Sequence, residues 1–303
     1  QVLFDETVTA SSFTQSAAGG TGLTTFGGAG DLTGDFRVTG EALTLNGALM
    51  TGGLMNINAT SLSVNAALQA TGSGDSVDLR AVTTLGGDIT TNGGSIFLRE
   101  AVTLASSVTL DTGSGGVVRF NYELDSASGQ NYGITINAGD EGINFARALG
   151  GVQRLGAIKI ISASSVTVGT GRAVNATSIE QVTGTGTTSF GGAVSTIGQI
   201  GAGNLNGIDI TTDKVRFKQN VTTTNAGAVR VANADTLTID DGANFSVAGK
   251  FEQVGGGSTV LGGNIVTSNA DISFASGVTL GQDVSLDTGA GAGNITFTNT
   301  LDG

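Results

Sequence analysis

The chain has 303 residues, of which 51 are glycine, and it contains no proline, cysteine, histidine or tryptophan. The missing histidine and cysteine exclude Ser-His and Cys-His nucleophile pairs, imidazole or thiolate metal sites, and disulfides. The formal charge of −12, from 25 acidic and 13 basic residues, disfavours nucleic acid and anionic lipid as partners.

Short apolar runs recur along the whole chain. They are three to five residues long and alternate with Thr or Ser, the period of two at which side chains return to one face of a strand. Gly, Asn, Asp or Ser follows each run, as expected of turns. The predicted strands are Ala42–Leu45, Leu54–Ile57, Ser61–Val64, Val77–Leu79, Val118–Phe120, Ile134–Ile136, Ile158–Ile160, Val166–Val168, Ile208–Ile210, Val215–Phe217, Val229–Val231, Leu237–Ile239 and Ile295–Phe297.

Two stretches of the chain occur twice. Leu85–Gly115 returns 176 positions later as Leu261–Gly291, with 15 of 31 residues identical. Thr21–Ala29 returns 164 positions later as Thr185–Ala193, with 7 of 9 identical. We therefore predict one continuous domain over residues 1–303, made of two degenerate super-repeats of about 165–176 residues, roughly 1–168 and an incomplete 169–303. The offset between the two copies increases from 164 to 176 residues along the chain, so the second copy contains extra residues. We place these extra residues around Ile200–Gly207.

Strands this short, with few Asn-Gly hairpin turns, favour a coil in which each strand stacks parallel on its equivalent one turn later. The predicted fold class is all-β, a parallel β-helix or β-solenoid with essentially no α-helix. The aliphatic residues kept in both repeat copies should point inward. Ile96 and Leu98 belong to that set, whereas Phe97 is matched by Ser273. Phe97 should therefore face outward.

The Gly-rich stretch Ala138–Val168 and the TGTTSFGGAV run resemble the strand repeats of large bacterial surface proteins, the filamentous-haemagglutinin-like and autotransporter-like adhesins. The resemblance covers nearly the whole chain and is one of repeat style, without a diagnostic motif. It implies a right-handed β-helix, secretion, an extracellular location at the cell surface, and a role as stalk, sheath, filament or adhesin. Partners expected on this reading are surface glycans or proteins of a host or a neighbouring cell.

Self-association is a further expectation. A β-solenoid exposes unpaired backbone donors and acceptors on a terminal rung unless a polar cap or helix covers them. Neither end of this sequence has the pattern of such a cap, so we expect the isolated chain to associate end to end, with side-by-side association as the other arrangement.

Asp-Thr-Gly occurs at Asp111 and again at Asp287. Aspartic proteases use two such loops to hold two carboxylates on one shared proton. The other interpretation is a turn that ends one strand in each repeat copy, because Asp and Gly are common turn residues. Copies stacked several rungs apart could not share a proton, which favours the turn.

Other Asp-rich segments suggest calcium. Gly72–Leu79 and Gly27–Asp35 each resemble a single imperfect copy of the calcium repeats of secreted β-rolls, and Asp240-Asp241 is another acidic turn. We predict no catalytic, cofactor-binding or metal-binding residue, and keep Ca²⁺ at an Asp-rich turn as the alternative. Arg147, Arg154, Lys159 and Arg172 form a mildly basic stretch that we interpret as scattered surface charge.

Two classes of function follow. The first is a non-enzymatic extracellular structural or adhesive repeat protein. The alternative is a polysaccharide-acting β-helix enzyme, a lyase or glycoside hydrolase, with a carboxylate groove near Arg119–Tyr132. That stretch holds both tyrosines of the chain, Tyr122 and Tyr132, beside Glu123 and Asp125.

Overall fold

A computed structural model describes residues 1–16, 22–74, 76–201 and 204–303. Throughout these residues the chain is all-β and forms no helix, and its strands stack in parallel as a β-solenoid of about 13 turns. The predicted fold class is therefore confirmed, while the right-handed coiling stays a prediction.

The described residues form 37 strands. The first twenty are β1 (Val2–Phe4), β2 (Val8–Ala10), β3 (Phe13–Ser16), β4 (Leu23–Phe26), β5 (Gly30–Leu32), β6 (Phe36–Leu45), β7 (Leu49–Thr51), β8 (Met55–Val64), β9 (Leu68–Ser73), β10 (Val77–Leu85), β11 (Ile89–Asn92), β12 (Ile96–Leu98), β13 (Val102–Leu104), β14 (Val108–Asp111), β15 (Val118–Phe120), β16 (Leu124–Ser126), β17 (Ile134–Asn137), β18 (Gly142–Phe145), β19 (Leu155–Ala163) and β20 (Ser165–Val168). The others are β21 (Val174–Gly184), β22 (Thr187–Phe190), β23 (Val194–Thr196), β24 (Asn206–Thr212), β25 (Lys214–Phe217), β26 (Val221–Thr223), β27 (Ala228–Asn233), β28 (Thr236–Ile239), β29 (Phe245–Val247), β30 (Phe251–Gln253), β31 (Ser258–Leu261), β32 (Ile265–Thr267), β33 (Ile272–Phe274), β34 (Val278–Leu280), β35 (Leu286–Asp287), β36 (Ile295–Phe297) and β37 (Leu301–Asp302).

Each turn contributes one strand to each of three faces. The first face stacks β1, β4, the second halves of β6, β8 and β10, then β13, β16, the bridge at Leu149, the start of β21, and β23, β26, β29, β32 and β35. The second face stacks β2, β5, β7, β9, β11, β14, β17, β19, the middle of β21, and β24, β27, β30, β33 and β36. The third face stacks β3, the first halves of β6, β8 and β10, then β12, β15, β18, β20, β22, β25, β28, β31, β34 and β37.

The core runs along the inside of the coil from Phe26 to Val278. Alternate residues enter it, so Val102 and Leu104 are buried while Thr103 between them is exposed. Equivalent residues of successive turns stack on one another, as in the Phe190 and Phe217 rings, whose centroids are 5.1 Å apart. Burial of apolar area, at ~25 cal/mol per Å², is the main force that holds one turn on the next.

The register predicted for β12 is confirmed. Ile96 and Leu98 are buried and Phe97 lies between them on the outer surface. The predicted strand lengths were wrong in places, because β6 and β8 run for ten residues and β21 for eleven. In β6 the bend between two faces is made in extended backbone, and Gly40 stays paired with Ala59 of the next turn.

The two copies of the long repeat lie on different faces. Ile89 belongs to β11 on the second face, whereas its counterpart Ile265 belongs to β32 on the first. On the second face seven turns lead from β11 through β14, β17, β19, β21, β24 and β27 to β30, and Ile265 lies two strands further on. A repeat copy is therefore a run of inward-facing strands and turns that fits any of the three faces.

The number of residues that separates equivalent positions of the two repeat copies increases along the chain, and much of this increase occurs at one place. The inward residues Leu32 and Thr196 are 164 positions apart, and the next inward pair, Phe36 and Ile208, are 172 apart. Eight additional residues therefore lie between Thr196 and Ile208, an interval that contains the predicted Ile200–Gly207. Residues 202–203 of that interval lie outside the described part of the chain.

Candidate functional site

Each Asp-Thr-Gly sequence forms a turn. The Asp111 carboxylate accepts the Gly113 N–H at 2.8 Å, and the Thr112 hydroxyl donates to the Gly116 carbonyl at 2.8 Å. In the second copy Asp287 accepts the Gly289 N–H at 2.8 Å. Gly113 and Gly289 have φ of 68° and 80°, a left-handed conformation that glycine adopts without strain. The residues thus close a turn between two strands.

The two aspartates cannot work together. Asp111 ends β14 on the second face and Asp287 ends β35 on the first. They are more than seven turns apart, which at about 4.8 Å per rung is roughly 35 Å. Since two carboxylates must be in contact to share a proton, the protease interpretation is wrong.

The stretch Arg119–Tyr132 does not form one groove. Arg119 is exposed on the third face, while Asp125 lies on the first face in β16. The Asp125 carboxylate accepts the N–H groups of Val152 at 2.9 Å and Gln153 at 3.2 Å, so it holds the loop of the next turn. Tyr132 is half-buried beyond β16, against the core. These side chains are distributed around the coil and do not converge on a common substrate position.

Two aspartates of the turns proposed for calcium, Asp35 and Asp240, accept hydrogen bonds from protein donors. Asp35 accepts hydrogen bonds from Arg37 at 2.8 Å and from the Leu54 N–H at 2.9 Å, and the Arg37 hydrogen bond lowers the pKa of Asp35. Asp240 pairs with Arg216 at 2.8 Å. Asp75, within Gly72–Leu79, lies outside the described residues. Across the described ranges no three acidic side chains gather as a metal site, and the absence of a cofactor stays a prediction.

The basic stretch is spread over separate contacts. Lys159 pairs with Glu180 of the next turn at 2.9 Å. Arg154 donates to the carbonyl groups of Ala176 at 3.0 Å and Ser195 at 2.8 Å, and burial lowers its pKa. Its guanidinium therefore links successive turns at a corner.

A groove on the third face was not anticipated from the sequence. Phe97, Arg119, Asn144 and Thr167 occupy the same outward position in four successive strands, β12, β15, β18 and β20. Together with Ser165 and the backbone at Gly142 they line a shallow groove, which we call the third-face groove. Only the register between turns places these residues side by side, because they are more than twenty positions apart in sequence.

One wall of the third-face groove is fixed by a chain of contacts. Arg99 donates two hydrogen bonds to Asp78, at 2.7 and 3.1 Å, and this interaction raises the pKa of Arg99. The same guanidinium lies 4.8 Å from the centre of the Phe97 ring. A cation over an aromatic face is attracted to the ring, so Arg99, itself held by Asp78, favours this position of Phe97.

Comparison with models of protein families, with curated proteins and with solved structures found no match. No helix within the described residues is long and apolar enough to cross a membrane.

Proposed function

We propose that the chain is a non-enzymatic extracellular scaffold, a β-solenoid that forms part of a stalk, sheath or filament at a bacterial cell surface and carries adhesive contacts. The observation that carries this proposal is the unbroken parallel stacking of strands from β1 to β37. Stacking of about 13 turns at about 4.8 Å gives a rod roughly 60 Å long, a form suited to spacing and support. The location rests on the resemblance in repeat style.

The use of the carboxylates supports a structural function. Asp88 accepts the Thr109 N–H of the next turn at 2.7 Å. Asp271 likewise accepts the Asn294 N–H at 2.8 Å, and Asp125 binds two N–H groups as described above. These three carboxylates join one turn to the next, which supports a structural use of the aspartates.

The enzyme alternative predicts a measurable product. We expect no increase in reducing or unsaturated ends when the purified chain is incubated with neutral and acidic polysaccharides, because Asp125 and Arg119 lie on different faces. The matched variant is Asp125→Asn, which keeps the shape of the side chain but removes its charge. Release of new ends at a catalytic rate by the parent chain, abolished in the variant, would overturn the scaffold proposal.

Self-association follows from the same proposal. Ile161 and Val182, on neighbouring strands of the second face, are exposed and form an apolar spot suited to side-by-side contact. We expect native material to show rods, fibres or a sheath by electron microscopy, and the purified chain to sediment faster as its concentration rises into the micromolar range. A sedimentation coefficient that stays that of a monomer, together with isolated rods no longer than the roughly 60 Å of one chain, would contradict the proposal.

A further inference from the structure

We propose that the third-face groove is a binding site for an acidic saccharide, one in which a single uronic acid residue lies among neutral sugars. Arg119 would bind a carboxylate, Phe97 would pack against a sugar ring, and Asn144, Ser165 and Thr167 would bind hydroxyl groups. This site goes beyond the scaffold function, which does not depend on it.

The charge of the ligand follows from Arg119. The outward row of the third face contains two further arginines, Arg37 and Arg216, and each is paired with an aspartate at 2.8 Å. Among the described residues no carboxylate lies within ion-pair distance of Arg119, and its side chain is exposed. A planar guanidinium forms paired hydrogen bonds with a carboxylate. In a chain of net charge −12, an unneutralised arginine in a groove favours an anionic ligand.

The saccharide character follows from the rest of the groove. Phe97 is held at one end by Arg99, and its ring offers an apolar wall for the C–H face of a pyranose. Asn144, Ser165 and Thr167 make no side-chain hydrogen bond to any described residue, so they are available to sugar hydroxyls. Phe97 and Thr167 are three rungs apart, roughly 14 Å at about 4.8 Å per rung, the reach of a short oligosaccharide.

An acidic peptide is a less suitable occupant of the third-face groove. The groove offers one cation and three neutral polar groups, whereas a run of Asp or Glu would place several carboxylates where only one finds a positive charge. Nucleic acid is disfavoured by the net charge of −12. A saccharide in which one uronic acid residue lies among neutral sugars combines one carboxylate with many hydroxyl groups, which matches this ratio.

The test is a titration of the purified chain with a trisaccharide of one glucuronic acid and two xylose residues, followed by calorimetry at low ionic strength. We expect saturable binding, with affinity reduced at least tenfold by Arg119→Gln and several-fold by Phe97→Ser. Serine stands at the matched position of the other repeat copy, as Ser273, and is compatible with an outward strand position. The control is Arg216→Gln, which removes the same charge from the same outward row and should leave the affinity unchanged.

Specificity is measured with two competitors, the fully methyl-esterified trisaccharide and a short polyglutamate. The ester should lose most of the affinity and polyglutamate should bind no better than the ester. Absence of binding by the folded parent chain at millimolar trisaccharide would overturn the inference, as would equal loss in Arg119→Gln and Arg216→Gln, or tighter binding of polyglutamate. Circular dichroism of each variant checks the fold. None of these results bears on the scaffold proposal, which the assay for new polysaccharide ends tests separately.

Discussion

Replacement of Gln253 by leucine is expected to destabilise the solenoid by about 3–5 kcal/mol, because several buried polar groups would lose their partners at once. Gln253 is 1% exposed and points into the coil at the end of β30. Its amide nitrogen donates to the Asn233 side chain at 2.8 Å and to the carbonyls of Gly255 at 3.0 Å and Gly257 at 3.1 Å. Its amide oxygen accepts the N–H groups of Ala275 at 3.1 Å and Ser276 at 3.2 Å.

One side chain thus joins three successive turns. Leucine keeps a similar volume but can satisfy none of these five groups, so the loss is one of hydrogen bonding rather than of packing. The matched control is Gln69→Leu, because Gln69 is exposed on the outer surface of β9. That change should alter the free energy of unfolding by less than about 0.5 kcal/mol.

The measurement combines urea unfolding with hydrogen exchange. Repeat arrays can open locally, so a single unfolding midpoint can miss damage to a few turns. We expect Gln253→Leu to lower amide protection first in β27, β30 and β33, the strands around the substituted side chain. Unchanged protection in these strands, with an unfolding curve like that of the parent, would show that the buried network contributes little.

Alternation in sequence, together with the internal repeats and the small number of Asn-Gly turns, was sufficient to predict the fold class and the inward aliphatic residues. Val102 and Leu104 flank a threonine, and a period of two has only one arrangement that buries both aliphatic side chains. The same reasoning placed Phe97 outside, because its counterpart Ser273 has no apolar side chain to bury. The local sequence pattern determines which side chains of a strand point into the core. Three to five residues are enough to show this pattern.

Other features depend on which strands become neighbours. Gln253 is polar, yet it is buried because five backbone and side-chain groups of its own and the neighbouring turns form hydrogen bonds with its amide. The third-face groove depends on the register of β12, β15 and β18 across turns of unequal length. The repeat copies lie on different faces because they are separated by seven turns and two further strands, and this number of strands is not a multiple of three.

Glycine pairs at chain corners explain part of the internal repeat. Gly86-Gly87 follows β10, and the equivalent Gly262-Gly263 follows β31 on another face. A Cβ atom at Gly87 would overlap the carbonyl oxygen of Ala66 in the preceding turn, and one at Gly263 would overlap that of Ala243. The backbone of one turn therefore rests directly on the backbone of the turn before it. The second glycine of each pair is kept because only hydrogen fits there.

Replacement of Gly87 by alanine is accordingly expected to destabilise the chain by about 3 kcal/mol, since the stacked backbones must separate to admit a methyl group. Gly86→Ala is the matched control in the same turn. The nearest atoms to a Cβ at Gly86 are the Val64 carbonyl oxygen at 3.3 Å and the Ala105 Cβ at 3.6 Å. Small adjustments accommodate these distances, so its unfolding free energy should stay within about 1 kcal/mol of the parent. Urea unfolding of the two variants side by side distinguishes close stacking from a general intolerance of side chains at this corner, because equal losses in both would contradict the stacking argument.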